Sequence, residues 1–115
     1  MTDSPKLSKK ASEIFDLADC GKAIIIISAV VLLESIDILD KKKIKFQFNK
    51  IISMIIQADN FIFSQIDLSL ILEINSIKGF NDIHDRVIVA TANLFNTHLI
   101  TKDKIIKQQY SKTIW

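Results

Sequence analysis

Three acidic residues, Glu34, Asp85 and Asp103, stand where a chain of alternating strands and helices places its chemistry. In an open parallel sheet, functional groups gather outside the carboxyl ends of the strands, where helices begin. Asp103 follows the expected strand His98 to Ile100 by three residues, Asp85 lies in the first turn of its helix, and Glu34 lies two turns into the helix after the expected strand Ala23 to Ile27. Carboxylates grouped without a cysteine or histidine partner make a hard oxygen site, suited to Mg²⁺ or Mn²⁺ rather than to zinc. Such an ion activates a water, clamps phosphodiester oxygens and neutralises charge that develops during in-line displacement. Each acid also has a structural role open to it: Glu34 as an exposed helix residue, Asp85 as a favourable charge at a helix start, Asp103 as a helix cap.

The elements that would position these acids follow from periodicity and capping. Ser8 is an N-cap for a helix through about Ala18, ended by Gly21. The β-branched run Ala23 to Ile27 suits a strand buried on both faces of a parallel sheet. Ser28 then caps a helix to about Leu39, with Val31, Leu32, Ser35 and Leu39 on its apolar-leaning side and Glu34 and Asp37 on another. A helix from about Phe48 to Ala58, a strand near Phe61 to Phe63 and a short helix from Asp67 to Ile74 come next. Asp82 or His84 opens a helix to Phe95, and a last helix spans Asp103 to Gln109. Repeated strand, helix, strand units of this length favour right-handed parallel crossovers, hence an α/β three-layer sandwich with a parallel central sheet.

Composition narrows the class. A chain of 115 residues with 49% apolar content is one domain's worth and can bury a single core. Cys20 is its one cysteine, which rules out an intramolecular disulfide or a thiolate zinc cluster and fits a reducing cytoplasm. The longest apolar stretch, Ala23 to Leu33, falls short of the roughly 20 residues a membrane-spanning helix needs. The first twenty-two residues are polar and of mixed charge, unlike a secretory signal. A net charge of +2 does not by itself announce a nucleic-acid partner, and the Lys41 to Lys43 run reads as a solvated helix end.

The segment NDIHDRVIVATA, Asn81 to Ala92, followed by HLITKD, His98 to Asp103, resembles the pattern of PIN-domain ribonucleases, in particular VapC-type toxins of toxin–antitoxin systems. In that pattern an Asp-Arg pair opens an Ala-Thr-Ala helix and a Thr-x-Asp follows the next strand. Upstream, IISAVVLLE, Ile26 to Glu34, is similar to the family's Ile-Ser-x5-Glu strand and helix, and PKLSKKA and the terminal TIW resemble its flanks. The resemblance implies a Mg²⁺- or Mn²⁺-dependent endoribonuclease that cuts structured RNA at single-stranded positions and pairs with a cognate antitoxin protein. Glu34, Asp85 and Asp103 match the family's catalytic, metal-binding acids. Asp82 matches a less regular acid, Thr101 a residue that hydrogen-bonds near the metal or ends a strand, and Arg86 one that contacts phosphate or pairs with an acid.

The pattern breaks at the start. Family members begin with a short apolar strand ending in an aspartate, whereas Met1 falls inside the connection that follows it, so residues 1–115 are expected to form a single incomplete PIN-like domain. The family places that strand in the middle of the sheet, and its loss would expose unpaired edges on two neighbours and impair catalysis. The competing reading is a catalytically inactive remnant that keeps a partner-binding or dimerisation surface on apolar helices such as Phe46 to Ile56.

Overall fold

The computed structural model describes residues 8–41, 48–58 and 60–115. Helix α1, Lys9–Asp19, starts at Ser8, whose hydroxyl accepts the Ala11 N–H at 3.1 Å. It ends in a Schellman turn: Gly21 at φ 77° donates to the Ala18 carbonyl and Lys22 donates to that of Leu17. A Cβ at Gly21 would meet only Asn60 Nδ2 at 3.8 Å, so its sole obstacle is the left-handed backbone. Gly21→Ala is therefore expected to cost about 1 kcal/mol in urea denaturation, with the fold unchanged.

Strand β1, Ile25–Ser28, runs directly into α2, Ala29–Lys41. Ser28 is thus the last residue of the strand, and its buried Oγ accepts the Val30 N–H at 3.3 Å. On α2 the inward position is Val30, whereas Val31, expected on the apolar side, is exposed. Helix α3, Phe48–Gln57, precedes β2, Phe61–Ser64, which pairs parallel with β1, Ile25 opposite Phe61 and Ser28 opposite Ser64. Asn60 joins three elements: its side-chain amide donates to the Ala18 carbonyl at 2.6 Å, and its carbonyl accepts from Ile25.

Helix α4, Leu68–Ser76, is capped by Asp67, and α5, Ile83–Leu94, by Asp82. Helix α5 also ends in a left-handed turn, on Asn96 at φ 51°, with Thr97 donating back to Ala92. Strand β3, Leu99–Ile100, leads to α6, Lys104–Gln109, and then to β4, Thr113–Ile114, which pairs parallel with β3. The fold is thus α/β: six helices and two separate two-stranded parallel sheets among the described residues. Val30 of α2, Leu70 and Ile74 of α4, and Val87 and Ala90 of α5 form the central cluster, with Ile77 and Ile88 packed against it. Each comes from a helix adjoining β1 or its neighbours, so the core holds the starts of α2 and α5 in place. Among the described residues, no helix is long and apolar enough to cross a membrane.

Candidate active site

Asp85 sits one residue beyond His84 in the first turn of α5, where a carboxylate is favoured by the positive end of the helix dipole. It is half-buried. Its carboxyl is nevertheless raised above the usual aspartate range, first by burial and then by the negative charges of Asp82, Asp103 and Glu34, with His84 acting the other way. Those three acids come from three separate pieces of chain: the cap of α5, the cap of α6 and the second turn of α2. Glu34 lies on the helix that follows β1 and Asp103 in the connection that follows β3, while α5, which carries Asp85, packs against β1 and α2. Glu34 and Asp103 are therefore near enough for their charges to act on Asp85.

Their local roles differ. Asp103 Oδ1 accepts the Ile105 and Ile106 N–H groups at 2.8 and 3.0 Å, and Thr101 Oγ1 accepts the N–H of Asp103 at 3.1 Å. Asp103 is the cap that elementary helix chemistry expects, with its second oxygen left for other partners. Asp82 Oδ1 accepts the His84 N–H at 2.9 Å and lies 3.2 Å from His84 Nδ1. Glu34 is half-buried on α2, while Asp37, three residues on, turns outward and pairs with Lys41 at 2.9 Å. Lys42 and Lys43 lie outside the described residues.

Arg86 points elsewhere. Its Nη2 donates to the Ile74 carbonyl at 2.8 Å, closing the carboxyl end of α4, and its buried Nε has no partner among the described groups. It pairs with a helix end rather than with an acid, a use that needs the α4–α5 packing and cannot be read from local spacing. Sequence reasoning also passed over Thr91, whose buried hydroxyl donates to the Val87 carbonyl at 2.7 Å inside α5.

The donor set is all oxygen, which fits a hard divalent cation. Among the described residues, however, no three His, Cys, Asp or Glu side chains are grouped closely enough to hold one ion together. Asp85 nevertheless feels the charges of Asp82, Asp103 and Glu34. The double role of Asp103 can be separated by substitution: Asp103→Ala is expected to cost about 1 kcal/mol by loss of the cap, while Asp103→Ser keeps a capping oxygen and most of that stability. Any function carried by the carboxylate is lost in both, and urea melts beside an activity assay distinguish the two contributions.

Comparison with known proteins gives no family-model match, no match among curated proteins and no match among solved structures.

Proposed function

We propose that the chain is a PIN-like, divalent-metal-dependent endoribonuclease of the toxin–antitoxin type, in which Glu34, Asp85 and Asp103 hold Mg²⁺ or Mn²⁺ beside an RNA phosphodiester. The observation that carries this reading is the convergence of those acids on Asp85 from α2, α5 and α6. Three like charges near a fourth are costly, and a divalent cation is the partner that offsets them. Mg²⁺ keeps several of its waters and is held through one or two carboxylates, so acids that do not touch one another still suit it. When bound, the ion would supply Lewis-acid polarisation of phosphate oxygens and a more acidic water. The chain's own part is to fix Asp85 and Asp103 on helix starts, where neither can swing far, and to present Glu34 from α2.

The PIN-like architecture belongs to the same proposal: a central parallel sheet that includes the β1–β2 and β3–β4 pairs, with helices on both faces. An RNA substrate, a cognate antitoxin and a homodimer are the partners it implies. The test is cleavage of a structured RNA with an accessible loop, in Mg²⁺ or Mn²⁺ and after chelation. Activity is expected with either metal and none after chelation; cleavage that survives chelation overturns the proposal.

A second reading has its own support. The lack of a ready-made three-ligand group among the described residues, together with exposed Leu33, Ile36, Leu68 and Leu72 on α2 and α4, favours a non-catalytic binding module. Of the Phe46 to Ile56 surface, Ile55 is buried and Ile56 exposed, Phe46 lies outside the described residues, and the side chains of Phe48 and Ile51 do as well. Failure of Mg²⁺ and Mn²⁺ to shift the melting temperature, in a chain that melts cooperatively, selects this reading.

A further inference from the structure

The stretch from Lys102 to Trp115 holds four lysines, Lys102, Lys104, Lys107 and Lys112, against one acid, Asp103, while the whole chain has a net charge of +2. This stretch is therefore more positive than the chain that contains it. Elsewhere lysines have acids at helical spacing: on α1, Lys9 and Lys10 stand four and three positions before Glu13, and on α2 Lys41 pairs with Asp37. Asp103 stands four positions before Lys107, but its Oδ1 accepts the Ile105 and Ile106 N–H groups as the cap of α6. Among the described residues, none of Lys102, Lys104 and Lys107 is in an ion pair. Lys112 is held by Asn96 Oδ1 at 2.6 Å, which leaves those three, all exposed.

Helix α6 accounts for one of them. Lys107 is in its last turn, where the helix dipole favours a cation. Lys104 is in the first turn and Lys102 lies beside the cap, where the positive end of the dipole disfavours one. They do not neutralise the candidate site either, because the cation acting on Asp85 is His84 and none of these lysines. Ile106, 3% exposed, anchors α6, and the bonds to Asp103 fix its start, so the lysines are carried on a fixed element. Lys104 and Lys107, three apart, are neighbours on its surface. Lys102 and Lys104 flank Asp103, so the row of cations begins beside the acids and continues one turn along α6.

Exposed cations without partners, in a row next to carboxylates that would hold a metal, suit the phosphates that flank the bond to be cut. The six residues of α6 are about 9 Å long, a span that follows one strand, whereas duplex RNA is bound across about 16 base pairs.

We propose that Lys102, Lys104 and Lys107 form a phosphate-binding track that leads single-stranded RNA along α6 to the candidate site. The track takes its partner from the nuclease reading, but binding is measured in EDTA, where no metal-dependent cleavage occurs, so the two can fail separately.

The probe is a fluorescein-labelled oligouridine, titrated with the full chain and followed by fluorescence anisotropy. Three phosphate contacts give a slope of about −2 in log K against log salt, or about 20-fold weaker binding when KCl rises from about 50 to about 200 mM. In Lys104→Gln/Lys107→Gln one contact remains, and the same rise in salt is expected to weaken binding only about threefold. Lys104→Arg/Lys107→Arg, which keeps both charges, is expected to retain the parent slope, as is Lys9→Gln/Lys10→Gln on α1. Absence of binding overturns the proposal, as does a parent slope in the α6 glutamine variant or an equal loss in the α1 variant. So does displacement of the RNA by poly-glutamate as readily as by unlabelled RNA, which would make the partner an acidic peptide. The expected slopes without cleavage in any metal sustain the track and count against the nuclease reading alone.

Discussion

Asp85→Asn is expected to abolish metal-dependent RNA cleavage while leaving the chain folded. The amide keeps the size of the carboxyl and half its acceptor capacity but carries no charge to hold a divalent cation. Metal-assisted phosphate chemistry draws several kcal/mol from charge stabilisation, and losing about 3 to 5 kcal/mol lowers the rate roughly 10²- to 10⁴-fold. A second readout separates this from misfolding. In the parent chain Mg²⁺ at 100 times its dissociation constant is expected to stabilise by about 2.7 kcal/mol, and in Asp85→Asn most of that shift disappears.

The pH dependence has a definite sign. The carboxyl of Asp85 is raised by burial and by Asp82, Asp103 and Glu34. A raised carboxyl contributes stability below its unfolded pKa, and that contribution is lost as pH rises through the folded pKa. Going to neutral pH therefore costs the cation-free chain stability at this residue. Protons and metal compete for the same oxygens, so the Mg²⁺-induced shift in melting temperature should fade as pH falls through the raised pKa, above the usual aspartate range. Persistence of the full shift well below that range would mean that Asp85 is not a ligand. A parent chain with no cleavage in any metal would instead favour the binding-module reading.

What could be read from the sequence is what depends on near neighbours. Ser8, Asp67, Asp82 and Asp103 cap the helices that follow them because a short polar side chain bonds N–H groups two or three residues on, wherever the rest of the chain goes. Gly21 ends α1 for an equally local reason. The inward face of α2 is less legible: β1 runs straight into the helix, so the strand's end sets the helical phase and brings in Val30 rather than Val31. Strand β4 has two residues, too few for any period, and becomes visible only through its pairing with β3. Asn96 carries the end of α5 in a conformation commoner for glycine, and the helix stops at Phe95, where the sequence reading ends it. For the candidate site, the rule about carboxyl ends of strands pointed to Glu34, Asp85 and Asp103, and the charges of the first and third do act on the second. The spacing between their oxygens depends on side-chain placement and could not be foreseen. Arg86 shows the same limit, since its carbonyl partner on α4 is twelve residues away.

The largest effect on stability is expected from Leu70→Ala. Leu70 is the most buried large side chain among the described residues, 1% exposed, and its cluster partners Val30, Ile74, Val87 and Ala90 come from α2, α4 and α5. Truncation removes buried methyl groups and leaves a cavity that three helices cannot easily close, at a cost of about 2 to 5 kcal/mol. A domain of this size has about 5 to 15 kcal/mol to lose, so the urea midpoint should fall substantially with little change in slope. Leu72, two positions along the same helix and 63% exposed, supplies the control: Leu72→Ala is expected to move stability by less than about 0.5 kcal/mol. The contrast bears on the candidate site as well, because the cluster packs α2, which carries Glu34, against α5, which carries Asp85. In Leu70→Ala under conditions where it remains folded, the Mg²⁺-induced shift should weaken although no acid has been touched. An unchanged shift would show that the acids are positioned by their own strand and helix ends and not by the helical core.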